Sequence, residues 1–173
     1  MNKEILNDLK RAIDELSRLL SSLNQTELNT RPFDESWTAA QVGEHLRKSY
    51  GVVEILASPV KPTKRAPDEK IGTIKQIMLN FETKMKSPEF IIPSSDPIDR
   101  EDLLSGLQNI SSKIQSVSSS LDLSETCTGF SLPGIGEFTR LEWLHFMLYH
   151  TQRHLEQLKN IRSMILNNSK IES

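Results

Sequence analysis

The chain contains four histidines, His45, His145, His150 and His154, three of them within ten residues of one another. Imidazoles four positions apart on a helix share a face, the geometry in which two rings can hold one metal ion. At about 100° of turn per residue, with His150 at zero, His154 falls at about 40°. Trp143 and Ile161 lie at about 20°, Phe146 at about −40° and Met147 at about 60°, so the pair sits in an apolar stripe. His145, at about −140°, points away and reads as a surface or interface residue. The same arithmetic puts Val42, Ser49, Val52 and Leu56 within about 60° of His45, which therefore also faces a core. A single buried histidine is ordinarily a hydrogen-bonded core residue. Burying three neutral imidazoles demands a polar partner for each, and one ion satisfies a nitrogen on all of them. The expectation is a divalent metal on His45, His150 and His154.

Three neutral ligands leave an ion its full charge and at least one open position, the pattern of a catalytic rather than a structural site. With no cysteine or carboxylate in the set, Zn or Ni is the expected metal, with Co, Fe or Mn next, in preference to Mg or Ca. Such an ion lowers the pKa of a bound water or thiol, or polarises a carbonyl. Thr151 follows His150, so the H-E-x-x-H arrangement of zinc peptidases is absent. No carboxylate shares the inward stripes, and no catalytic side chain is identified.

Gln157, at about −20°, is the inward polar candidate for supporting a ligand or touching a substrate; otherwise it is a solvent-facing amide. Arg153, at about −60°, could meet an anionic thiol cofactor, but pairing with a surface acid is slightly favoured. Trp37 and Trp143 read as helix staples, and Cys127 as a loop residue without a catalytic role.

Positioning three such rings requires long helices. Ile5, Leu9, Ile13, Leu16, Leu20 and Leu23 recur at helical spacing and predict a helix over 3–23. A second is expected over 38–57, opened by a Thr38/Gln41 capping box with Trp37 and Val42 as its staple. Residues 58–98 contain six prolines and read as a crossover with one short helix near 68–80. Asp99 caps a helix over 100–120, whose seam of Leu103, Leu107, Ile110, Ile114 and Val117 alternates by four and three. Residues 122–138 read as a loop. Thr139/Glu142 and Phe138/Trp143 then repeat the box and staple at the head of a helix over 139–166. No period-2 pattern competes. The predicted fold is all-α: a four-helix bundle forming one domain over 1–173, with its long crossover between the second and third long helices.

His150-Thr151-Gln152-Arg153-His154-Leu155-Glu156-Gln157 resembles the H-x-x-R-H-x-x-Q signature in the last helix of the DinB-like superfamily of damage-inducible metalloproteins. Trp37-Thr38 followed by His45-Leu46 is similar to its second-helix signature, and Gly136 to Thr139 with Glu142-Trp143 to the turn before the last helix. The resemblance covers nearly the whole chain. It implies an up-up-down-down bundle, the same histidine triad, a divalent ion and a homodimer. Some members are thiol-dependent S-transferases or isomerases using bacillithiol, mycothiol or glutathione. The functional expectation is therefore a metal-dependent thiol S-transferase or hydrolase acting on a small electrophile. The alternative is a non-catalytic metal-binding stress or interaction protein.

Composition narrows the partners. Twenty-one basic residues face 23 acidic ones for a net charge of −2. No basic block offers a nucleic-acid or membrane surface. A single cysteine and the absence of a long apolar run point to a cytoplasmic protein. A second stripe on the last helix, Leu141, Leu144, Leu148 and Leu155, lies nearly opposite the histidines and reads as the dimer contact.

Overall fold

A computed structural model describes residues 2–171, with side chains over 3–168. Helix α1 (Asn2–Ser21) buries the apolar stripe read from its sequence, and a short α2 (Gln25–Leu28) follows. Helix α3 (Ala39–Ser49) starts as its capping box dictates. Thr38 Oγ1 accepts the Gln41 N–H at 3.1 Å, and Gln41 Oε1 accepts the Thr38 N–H at 3.0 Å.

The helix expected to run on to residue 57 breaks after Ser49 and resumes as α4 (Val52–Leu56). Gly51, a poor helix former, sits at the break and donates its N–H three residues back, to Lys48. At the same point the Tyr50 hydroxyl bonds Thr151 Oγ1 at 2.7 Å. Thr151 Oγ1 in turn donates to the Met147 carbonyl, which leaves it to accept from Tyr50. This contact bolts the end of α3 to the middle of the last helix.

The crossover carries a two-residue strand β1 (Val60–Lys61), helix α5 (Ile71–Met78) and a 3₁₀ turn at Glu89–Ile91. Helix α6 (Arg100–Ser119) is capped by Asp99, whose carboxylate accepts the Asp102 N–H. Residues 122–138, expected to be a loop, instead hold strands β2 (Thr126–Leu132) and β3 (Gly136–Thr139). They pair antiparallel, Leu132 opposite Gly136 and Thr126 opposite Thr139, and β1 adds to the other edge of β2. The missed signal is the β-branched and aromatic run from Thr126 to Leu132 followed by Pro133-Gly134. Gly134 and Gly136 supply the left-handed conformations of the turn, at φ 80° and 86°.

Helix α7 (Arg140–Ile171) closes the bundle. Both α1 and α3 pack against α6 and against α7. Buried residues from all four join one apolar core. At the head of α7, Glu142 has a fully buried side chain that accepts the Thr139 N–H and, from the crossover, the Lys70 N–H and two guanidinium N–H groups of Arg65. The capping residue thus also fastens the crossover, through the bidentate pairing that a buried carboxylate needs. Leu141, Leu144, Leu148 and Leu155 are buried within the single chain. Helix α1 packs along α7, so these leucines belong to the core, not to an exposed contact face. No helix among the described residues is long and apolar enough to cross a membrane.

Helix α3 is closely approached at Gly43, where an added Cβ would lie 2.8 Å from Leu20 Cδ1 and 3.0 Å from Leu103 Cδ2, both in fully buried side chains. Gly43→Val should therefore overpack the junction of α1, α3 and α6 and cost about 1–3 kcal/mol. A lowered midpoint in urea would show it; an unchanged midpoint would mean that the junction is loosely packed.

Candidate metal centre

Helix α3 contributes His45, and α7 contributes His150 and His154 from successive turns, all three buried. His150 Nε2 lies 3.1 Å from His45 Nε2 and 3.1 Å from His154 Nε2. Among the described residues these form the group of His, Cys, Asp or Glu side chains close enough to ligate one ion. The triad assembled from helical angles is thus brought together in space.

The outer nitrogens decide the chemistry. His45 Nδ1 donates to the Ile91 carbonyl at 2.9 Å, an acceptor that can play no other role. His154 Nδ1 donates to Gln157 Oε1 at 2.8 Å. With their protons on Nδ1, both neutral rings present bare lone pairs at Nε2. His150 Nε2 faces both of these lone pairs and has at most one proton to offer. At least one nitrogen–nitrogen contact is therefore lone pair against lone pair. A cation at the focus removes the conflict. Ligand nitrogens about 2.0–2.1 Å from a common ion in a tetrahedral set lie about 3.3 Å apart, close to the 3.1 Å of both contacts made by His150.

Protonation does not resolve the conflict at neutral pH. Burial lowers the pKa of His45, although its bond to Ile91 opposes this. Burial first, and then the charges His154, His45 and Arg153 would carry beside it, hold His150 well below its ordinary range. Burial brings His154 down to about 4. All three rings are neutral at pH 7, the state that ligation requires.

Other residues depart from expectation. Gln157 is the acceptor that fixes the His154 tautomer. Arg153 meets neither an anion nor a surface acid. It donates to the carbonyls of Met78 and Asn80 at 3.1 and 2.7 Å and also to that of Thr83, clamping the chain beyond α5 beside His154. Trp37 is more than a staple: its ring stacks on His154 at 6.3 Å and leans on His45 at 5.0 Å, walling the centre. Phe146 packs on His150 with ring centroids 5.7 Å apart, and Trp143 packs on Phe138 as the staple predicts. His145 is half-buried against Tyr149 and takes no part in the triad. Cys127 lies on β2, not in a loop. Its thiol is buried and pushed up to about 11, which removes it as a nucleophile at neutral pH.

Residues 8–158 match the family model of the DinB superfamily. YuaE of Bacillus subtilis (strain 168) is 26% identical over 150 residues, spanning 84% of this chain and 90% of its own. Two solved structures share the fold. TT2238, a four-helix bundle protein, superposes with a TM-score of 0.60 at 20% identity, over 92% of this chain and 99% of its own. YfiT from Bacillus subtilis, described as a probable metal-dependent hydrolase with an unusual four-helix bundle topology, superposes with a TM-score of 0.59 at 18% identity, over 92% and 85%.

The lowered histidines make a prediction for metal-free protein. A histidine unfolded at its ordinary pKa of about 6.5 takes up a proton that its folded counterpart refuses, so stability falls as pH drops below about 6.5. With a folded pKa of about 4, His154 alone should remove about 2 kcal/mol by pH 5. Thermal melts of chelator-treated protein at pH 7.5 and 5.0 should differ accordingly, and His154→Gln should narrow the gap. Equal melting temperatures would show that the rings are not buried neutral.

Proposed function

The chain belongs to the DinB superfamily, and we propose that it is a metal-dependent enzyme acting on a small uncharged electrophile, hydrolysis being the first reading. One observation carries the proposal: the three converging Nε2 atoms, two of them stripped of protons by Ile91 and Gln157. His45, His150 and His154 would hold the ion, with Zn or Ni the metals that suit three imidazoles. Held by neutral ligands alone, a divalent ion supplies Lewis-acid chemistry, acidifying a water or thiol and polarising a carbonyl.

The protein's own part is to hold and shield. Ile91 and Gln157 fix two tautomers, so that no proton competes at those nitrogens. Trp37 and Phe146 exclude bulk water from the ring faces.

Two observations favour hydrolysis over transfer to an anionic thiol. Arg153 has its guanidinium committed to three backbone carbonyls, and Lys48 donates to the Ile92 carbonyl. The cations on the two ligand-bearing helices next to the triad are thus spent on the chain itself, which disfavours recognition of a carboxylate-bearing cosubstrate. The fold relative YfiT, described as a probable metal-dependent hydrolase, supports the same choice. Thiol S-transfer is the second reading, and metal binding without turnover the third.

Metal analysis of purified protein should find about one divalent ion per chain in the parent and in His145→Ala, and little in His45→Ala, His150→Ala or His154→Ala. Metal-loaded parent should then hydrolyse neutral activated esters without added thiol, at a rate that chelation abolishes. Turnover that requires a thiol would select the second reading. Metal without turnover on either substrate class would select the third. Absence of metal from protein reconstituted with Zn and with Ni would overturn all three.

A further inference from the structure

His45 owes its orientation to a segment outside the bundle. Residues 91–94 run from the last residue of the 3₁₀ turn and make no strand pairing; they are fastened to one face of α3 by side chains. Gln41 donates to the Ser94 carbonyl at 2.9 Å, and Glu44 accepts the Ser94 N–H at 2.5 Å. His45 donates to the Ile91 carbonyl at 2.9 Å, and Lys48 to the Ile92 carbonyl at 2.8 Å. Positions 41, 44, 45 and 48 fall on one helical face by their three- and four-residue spacing. Lys48 Nζ also lies 3.7 Å from Glu44 Oε2, which holds the two fasteners together.

We propose that Gln41, Glu44 and Lys48 are positioning residues for the metal centre, acting through the strap 91–94 and its Ile91 carbonyl on His45, and that metal occupancy in turn tightens the strap. The inference rests on the triad binding an ion. The partner of a ligating histidine's outer N–H sets the tautomer, the ring orientation and the basicity of the ligating nitrogen. Here that partner is a carbonyl 46 residues away in sequence, on a segment that Gln41, Glu44 and Lys48 fasten to α3. The coupling runs both ways. An ion on Nε2 draws electron density from the ring and makes Nδ1–H a stronger donor to Ile91, and a strap that favours ligation must be favoured by it.

The test uses full-length protein and zinc. Lys48→Met combined with Gln41→Ala removes two donors to the strap while leaving all three histidines. Zinc Kd should rise about tenfold, within the range known for loss of outer partners of metal ligands. Lys48→Arg, which keeps a donor, should bind zinc like the parent. Independently of any variant, zinc should slow amide exchange at Ile91, Ile92 and Ser94 of the parent about tenfold and leave the β2–β3 hairpin unchanged. A double variant that keeps parental helicity and parental zinc Kd would overturn the proposal, as would strap amides indifferent to zinc. Parent protein that binds no zinc at all would overturn the metal reading itself, a result distinguishable from both.

Discussion

Three imidazole nitrogens meet in an apolar interior with too few protons to satisfy one another, and much of the structure follows from that constraint. Two of the rings have their protons drawn outward, to Ile91 and Gln157, so their inner nitrogens are bare. In water such a cluster would be solvated or protonated. Here burial opposes protonation at each ring, most strongly at His150. The arrangement is costly for a polypeptide alone and favourable around a cation, which separates a metal centre from three unrelated core histidines.

Holding that focus requires α3 and α7 to keep a fixed distance and rotation. The Tyr50–Thr151 bond joins them one residue from His150. Gly43 lets Leu20 and Leu103 close on α3 two residues before His45. The crossover does the remaining work from outside. Arg65 and Lys70 fasten it to Glu142 at the head of α7, Arg153 clamps it beside His154, and the strap 91–94 ties it to α3. A proline-rich connection that forms no layer of its own is thereby bonded to both ligand-bearing helices.

The parts of this arrangement that were legible in the sequence are those with a period or a local motif. The facing of His45, His150 and His154 follows from a turn of about 100° per residue, and both capping boxes from a hydroxyl three positions before an amide or acid. The parts that were not legible depend on partners distant in the chain. Any residue carries a carbonyl, so nothing in the sequence marks Ile91 as the acceptor for His45, or Met78, Asn80 and Thr83 as those for Arg153. The leucine stripe of α7 has the same cause: periodicity shows that a face is apolar, not whether α1 or a second copy covers it. The β2–β3 hairpin and the break at Gly51 are different. Both carried ordinary signals, a β-branched run before Pro-Gly and a glycine inside a helix, that the stronger helical pattern around them outweighed.

The same division implies that the fold should not depend on an ion. In a zinc finger the ligands are the core, so binding free energy is folding free energy. In this chain the core is the shared apolar face of α1, α3, α6 and α7, and it includes residues as far from the triad in sequence as Leu9 and Ile114. Two of the three outer nitrogens are bonded whether or not an ion is present, so the bundle can stand with the centre empty at neutral pH. Metal affinity would then be governed less by global stability than by how well the Nε2 atoms are held in place. That depends on weak, individually replaceable contacts, Gln157 on His154 and the strap on His45. The bundle provides the scaffold, and on the proposed reading the crossover and the support at the triad would set how readily an ion is kept or lost.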